Sequence, residues 1–133
     1  MIEKKEYMSR RQELMSMMHK NSIAVISSAP EKVRSRDTNY PYKQNVNLTY
    51  LAGFPEPESV LVLMPDREDG QVILFCRDKD PLRETWDGYR EGPASAIKKY
   101  GFDDAFPISD IDDILPNLIE GKDRLYYAVG KDA

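Results

Sequence analysis

The sequence predicts an α/β fold in which a central mixed sheet is flanked by helices. Three observations lead there. Two short, continuously apolar runs, "SVLVLMP" (59–65) and "QVILFCR" (71–77), have the pattern of strands covered on both faces. A charged, amphipathic segment, "EKKEYMSRRQELMSMMH" (3–19), precedes them. Two later segments carry residues that start and stop helices. The expected order is α, β, β, β, β, α, α, β.

In the first helix, Tyr7, Leu14 and Met18 fall on one side, with Met8 and Met15 alongside. Arg10, Arg11 and Glu13 take the wet side, and "KNS" ends the helix. "SIAVISS" (22–28) is β-branched and reads as a strand ending at Ala29-Pro30. Residues 31–45 are polar and irregular, with Pro41 between two tyrosines. "NLTYLAG" (47–53) reads as a strand closed by Gly53, and "FPEPE" as a stiff turn. The runs at 59–65 and 71–77 should pair as a hairpin across "DREDG". The stretch 78–92 is charged and reads as a loop. "GPASAIKKYG" opens a helix with Pro93 and closes it with Gly101. "SDIDDILPNLIEG" gives another, capped by Ser109 or Asp110, which Pro116 should kink or split. "DRLYYAVG" (123–130) is the last strand. Because "VGKDA" follows it directly, the chain reads as a piece of a longer polypeptide.

The 133 residues suit one domain with a genuine core. With 41% apolar and 32% charged residues the composition is that of a folded chain. The net charge of −4 argues against a nucleic-acid partner, which would need a concentrated basic surface. Cys76 is the single cysteine, so no disulfide forms within the chain and a cytoplasmic setting is expected. The charged amino terminus does not read as a signal peptide, and no apolar run is long enough to span a membrane.

The residues alone offer no self-contained active site. His19 is the only histidine and reads as a surface or capping residue, so no metal-ligand set is complete. Asp103, Asp104, Asp110, Asp112 and Asp113 are expected at or near helix starts, where negative charge suits the dipole. Cys76 lies in an apolar run and reads as an inert thiol. The glycines are scattered at turns, with no phosphate loop among them. Two features stay unabsorbed. One is the aromatic, proline-rich stretch from Tyr40 to Asp66. The other is "RETWDGYREGP" (83–93), which sets the single tryptophan, Trp86, among charges. Trp86 is either half-buried against its own domain or an interface anchor.

At these two places the sequence resembles the amino-terminal domain of the Xaa-Pro aminopeptidases, within the creatinase/prolidase group. The resembling residues are "RSRDTNYPYKQNVNLTYLAGFPEPESVLVL" (34–63), "RDKDPLRETWDGYREGP" (77–93) and the helical "RRQELM" (10–15). They follow in the family's order and spacing along nearly the whole chain. Thr49 departs from it, standing where the family often has an aromatic residue.

The resemblance implies a three-layer α/β/α domain with a ribonuclease H-like motif. It implies a full-length enzyme that removes the amino-terminal residue from peptides with proline second. The chemistry would reside in a separate carboxy-terminal domain with two metal ions, usually manganese, so this chain alone should be inactive. Its own partners would be that catalytic domain and further copies, as a dimer or tetramer. Trp86 would reach the substrate in a neighbouring subunit, and Asp37 would orient an arginine of the catalytic domain. Tyr40, Tyr42, Gln44 and Asn45 would shape the loop carrying Asp37, with its aromatic residues open to solvent. A non-catalytic peptide-binding module that reuses the fold is the competing reading. The corresponding domain of a prolidase or creatinase is a third.

Overall fold

In the computed structural model, residues 2–30 and 42–128 are described. The chain forms α1 (Lys4–Ser16), β1 (Ser22–Ser27), α2 (Val46–Ala52), β2 (Val60–Leu63) and β3 (Val72–Cys76). It continues through α3 (Pro81–Asp87), α4 (Pro93–Tyr100), β4 (Asp104–Pro107), α5 (Ile111–Ile119) and β5 (Arg124–Ala128). The strands form one sheet in the order β4-β3-β2-β1-β5. β2 pairs antiparallel with both β1 and β3, and the expected hairpin forms with Leu63 opposite Val72. β5 runs parallel to β1, and β4 parallel to β3. The sheet is therefore mixed.

Alternation along the strands divides the core in two. Ala24, Ile26, Leu61, Leu63, Val72 and Leu74 face Met15 of α1, Leu48 and Leu51 of α2 and Ala96 of α4. Ile23, Val25, Val62, Ile73 and Phe75 face the other way, against Ile111, Ile114, Leu115 and Leu118 of α5. Three layers result, α/β/α.

Several elements differ from the sequence reading, each for a physical reason. Residues 47–53 are expected as a strand but lie in and after helix α2. The Asn45 side chain caps it, accepting from the backbone N–H of Asn47 at 2.7 Å and of Leu48 at 3.2 Å. Its buried residues, Leu48, Leu51 and Ala52, have helical spacing. Gly53 then ends it in the left-handed region, at φ +66°. A Cβ there would come within 2.7 Å of the Tyr7 hydroxyl.

α3 lies in the stretch read as a loop. It buries no residue, so no apolar stripe announces it. Asp80 caps it, accepting from Arg83 N–H at 3.2 Å, and Pro81 opens it. β4 is an unforeseen edge strand of half-buried residues. Asp103 and Asp104 therefore do not start a helix. The Asp103 carboxylate instead accepts the backbone N–H groups of Gln71 and Val72, each at 3.0 Å, and Asp104 pairs with Arg67 at 3.5 Å. Asp112 and Asp113 do lie in the first turn of α5. That helix is not split by Pro116. The carbonyl that Pro116 leaves without a donor belongs to Asp112, and both residues are exposed, so water can serve it.

The largest departure is Arg11. Expected on the wet side, it is 1% exposed. Its guanidinium donates to Leu51 O at 2.9 Å, Tyr100 O at 3.1 Å and Gly101 O at 3.3 Å. These carbonyls close α2 and α4, where a cation satisfies both the unpaired acceptors and the dipole. Its carbon Cζ also lies 5.1 Å from the centre of the Phe102 ring. Burial lowers its pKa to about 10, partly offset by Asp103, so the group stays charged at neutral pH.

Two stability outcomes follow. Arg11→Met keeps the apolar stem but strands buried carbonyls, and should cost on the order of 3 kcal/mol in urea unfolding. Gly53→Ala should cost about 1–3 kcal/mol in the same measurement, because the left-handed conformation and the Tyr7 ring both oppose a Cβ.

Candidate functional site

From Tyr42 to Val60, the described part of the aromatic stretch meets the 83–93 segment at one end of the sheet, where β1 and β3 finish and β2 begins. Buried polar groups organise this end. The Gln44 amide nitrogen donates to Phe54 O at 3.1 Å and Glu56 O at 2.8 Å. Its amide oxygen accepts from Ala29 N–H at 3.0 Å and Asn45 N–H at 2.9 Å. One side chain thus ties the exit of β1 to the start of α2 and to the "FPEP" turn. The Tyr42 hydroxyl lies within hydrogen-bond reach of Ala29 O and of Gln44 Oε1.

Glu56 ties that turn to the next segment. It is 8% exposed, accepts from Glu91 N–H at 2.7 Å and pairs with Arg77 at 3.3 Å. Arg77 follows β3 and Glu91 precedes α4, so one carboxylate holds both ends of the segment carrying α3. Glu91 is itself buried. Its carboxylate accepts the Ser95 and Tyr89 hydroxyls and lies 3.5 Å from Lys99.

Within that segment the polypeptide closes on itself through Glu84. One of its oxygens accepts from Lys79 Nζ at 2.8 Å and Arg90 N–H at 3.1 Å. The other accepts from Asp80 N–H at 3.1 Å. Lys79 Nζ also donates to Arg90 O at 2.6 Å and sits 4.0 Å from the centre of the Tyr89 ring. The Lys79 hydrogen bond, followed by the Arg90 backbone, holds the Glu84 carboxyl below the usual carboxylate range. The same bond raises the Lys79 ammonium.

Trp86 stands at the outer side of α3 and is 82% exposed. Leu82, one turn earlier, is also open, as is Tyr89. Of the sequence alternatives, half-burial against its own domain is therefore not what the structure has. Three large apolar side chains facing water on one short segment mark a contact surface. Beside them lies a cavity of about 320 Å³ lined by Glu58, Asp78 and Asp80 and by Arg77, Arg83 and Arg90. Three acids against three arginines leave it without a net sign.

The other named residues are placed as follows. Asp37 and Tyr40 lie outside the described residues. The aromatics of the 40–66 stretch are not uniformly open. Tyr50 is exposed, Tyr42 is half-buried, and Phe54 is buried against Tyr100 and Phe102. Phe54 fills the core beneath α2, so a family-motif aromatic serves packing. Cys76 is buried in β3, and burial together with nearby Glu56 and Asp78 pushes its thiol up to about 12. It is no nucleophile at neutral pH. His19 sits exposed after α1, its backbone N–H donating to the Tyr126 hydroxyl at 3.4 Å. Among the described residues no three His, Cys, Asp or Glu side chains converge to hold a metal ion. The two-metal centre that the resemblance implies is expected in a separate domain, not among these residues.

Sequence reasoning missed Arg11, Glu56, Glu84 and Glu91 as organising groups. Each stands in a segment quoted for the family resemblance, and that was the available signal.

Comparison with known proteins gives a concordant set. The family described as aminopeptidase P, N-terminal domain, matches residues 7–126. The Xaa-Pro aminopeptidase of Escherichia coli is 42% identical over 99% of this chain, which spans 30% of that relative's length. The solved structure of Pseudomonas aeruginosa aminopeptidase PepP superposes with a TM-score of 0.93 at 56% identity, over 98% of this chain and 30% of that one. A zinc-substituted E. coli aminopeptidase P in complex with product gives 0.90 at 41% identity, over 99% and 30%.

Glu56→Gln keeps an acceptor for Glu91 N–H but removes the charge opposite Arg77. It should lower the unfolding free energy by about 1–3 kcal/mol in urea titration.

Proposed function

The chain belongs to the aminopeptidase P N-terminal domain family, and from that premise we propose that it is the substrate-shaping part of a Xaa-Pro aminopeptidase. The chain spans under a third of the relatives it matches, so the catalytic machinery is assigned to a further domain of the full-length polypeptide. That domain carries two metal ions, manganese in this proposal. The zinc-substituted relative in complex with product supports a metal-dependent reaction. The substrates are peptides with proline in second position, and the compartment is the cytoplasm.

The observation that carries the reading is Trp86. A tryptophan 82% exposed on a helix that buries nothing is costly unless a partner covers it. A flat indole face suits a proline ring, which is compact, apolar and without an N–H to satisfy. In this proposal Trp86 meets the substrate proline in a neighbouring subunit of a dimer or tetramer. Asp37 holds an arginine of the catalytic domain. A second surface suits contact with the rest of the polypeptide. Tyr127 on β5 is 66% exposed and lines an apolar groove of about 350 Å³ between α1, α2 and the sheet.

In the full-length enzyme Trp86→Ala should lower kcat/KM for Xaa-Pro peptides by about tenfold or more, with unchanged thermal stability. An unchanged kcat/KM would remove the substrate role from Trp86.

A further inference from the structure

We propose that Glu84 is a positioning residue that aims Trp86 outward, an inference that rests on the reading of Trp86 as the substrate contact. The segment 79–90 leaves and re-enters the domain at one point. Lys79 and Asp80 stand at its exit, and Arg90 at its return. Glu84 bonds to all three, accepting the Lys79 ammonium and the Arg90 N–H on one oxygen and the Asp80 N–H on the other.

The geometry of a helix then sets the direction of Trp86. Residues on an α-helix are spaced about 100° apart, so positions i and i+2 lie about 200° apart, on nearly opposite sides. Turning Glu84 inward turns Trp86 outward. Burial agrees, since Glu84 is the one residue of α3 that is not exposed. α3 has seven residues and no buried side chain. A helix that short is not stable alone in water. Among the described residues, the remaining side-chain fastenings of α3 are the Asp80 cap, a Thr85 hydroxyl bond to Pro81 O and the exposed Arg83–Asp87 pair. All three are internal to the segment, and none of them joins α3 to the returning chain. Glu84 does.

The experiment uses Trp86 as its own reporter, because it is the single tryptophan of this chain. Time-resolved fluorescence anisotropy of the full 133-residue chain reads the freedom of the indole. Glu84→Gln should at least double the amplitude of the fast local component, while far-UV circular dichroism and the overall tumbling time stay the same. Lys79→Met removes one of the three donors to Glu84, together with the Lys79 bond to Arg90 O, and should give a smaller change of the same sign even if Glu84→Gln fails to fold. Acidification should do likewise. The depressed Glu84 carboxyl keeps the clamp closed at neutral pH, and the clamp opens only as pH falls through its folded-state value, below where an ordinary glutamate titrates. An anisotropy decay that is the same in the folded variants as in the parent would overturn the proposal.

In the full-length enzyme, Glu84→Gln should lower kcat/KM for a Xaa-Pro peptide, in the direction that Trp86→Ala does. The double variant should be no worse than Trp86→Ala alone. Fully additive losses would contradict positioning through Trp86. If Trp86→Ala leaves turnover untouched, the substrate reading fails, and the anisotropy still decides the role of Glu84.

Discussion

The buried guanidinium of Arg11 is the interaction on which the helical layer depends. A buried charge needs acceptors, and three carbonyls take the Nη donors of Arg11, while its Nε has no partner among the described residues. Here the acceptors are carbonyls at the ends of two different helices, Leu51 for α2 and Tyr100 and Gly101 for α4. Helix ends are where acceptors are left over, and where a positive charge meets the negative end of the dipole. One side chain from α1 therefore fixes the spacing of three helices above the sheet. The cluster of Phe54, Tyr100 and Phe102 fills the space beneath it, with Phe54 meeting Tyr100 edge-on at 5.2 Å between ring centres.

The consequence reaches the contact surface through the backbone. Once α2 is placed, Gly53 turns the chain into the "FPEP" loop, and Glu56 arrives at a buried position. Once α4 is placed, Glu91, two residues before its start, stands opposite. The N–H of Glu91 meets the Glu56 carboxylate at 2.7 Å, and Arg77 pairs with the same carboxylate. The base of the α3 segment is thus held by buried charge, while its tip has no core of its own. This is a rigid scaffold presenting a short exposed element, an arrangement suited to a residue that serves a neighbouring molecule.

Much of this fold is legible in the sequence, and the failures share a cause. β2 and β3 are continuous apolar runs covered on both faces, and composition reveals such strands. α4 is bracketed by Pro93 and Gly101, which act locally. α2 misleads because Val46, Leu48 and Tyr50 alternate like a strand, whereas its caps, Asn45 and Gly53, report a helix. α3 lacks a buried face, so periodicity cannot find it. β4 is four half-buried residues at a sheet edge. In the site, Trp86 is conspicuous because a large apolar residue among charges is rare. Glu56, Glu84 and Arg11 look like any surface charge, since burial of a charged residue is decided by partners 21 to 90 positions away or by a loop closing on itself. Asp37 stands in a quoted motif but lies outside the described residues.

The central claim is that this domain is built to present Trp86 to a peptide in a neighbouring active site. The most direct measurement is an experimental structure of the full-length polypeptide with a Xaa-Pro peptide bound. The account predicts the Trp86 indole of one subunit within van der Waals distance of the proline ring held by another, about 4 Å between heavy atoms. A bound peptide whose proline is enclosed entirely by other residues, with Trp86 in solvent, would contradict it.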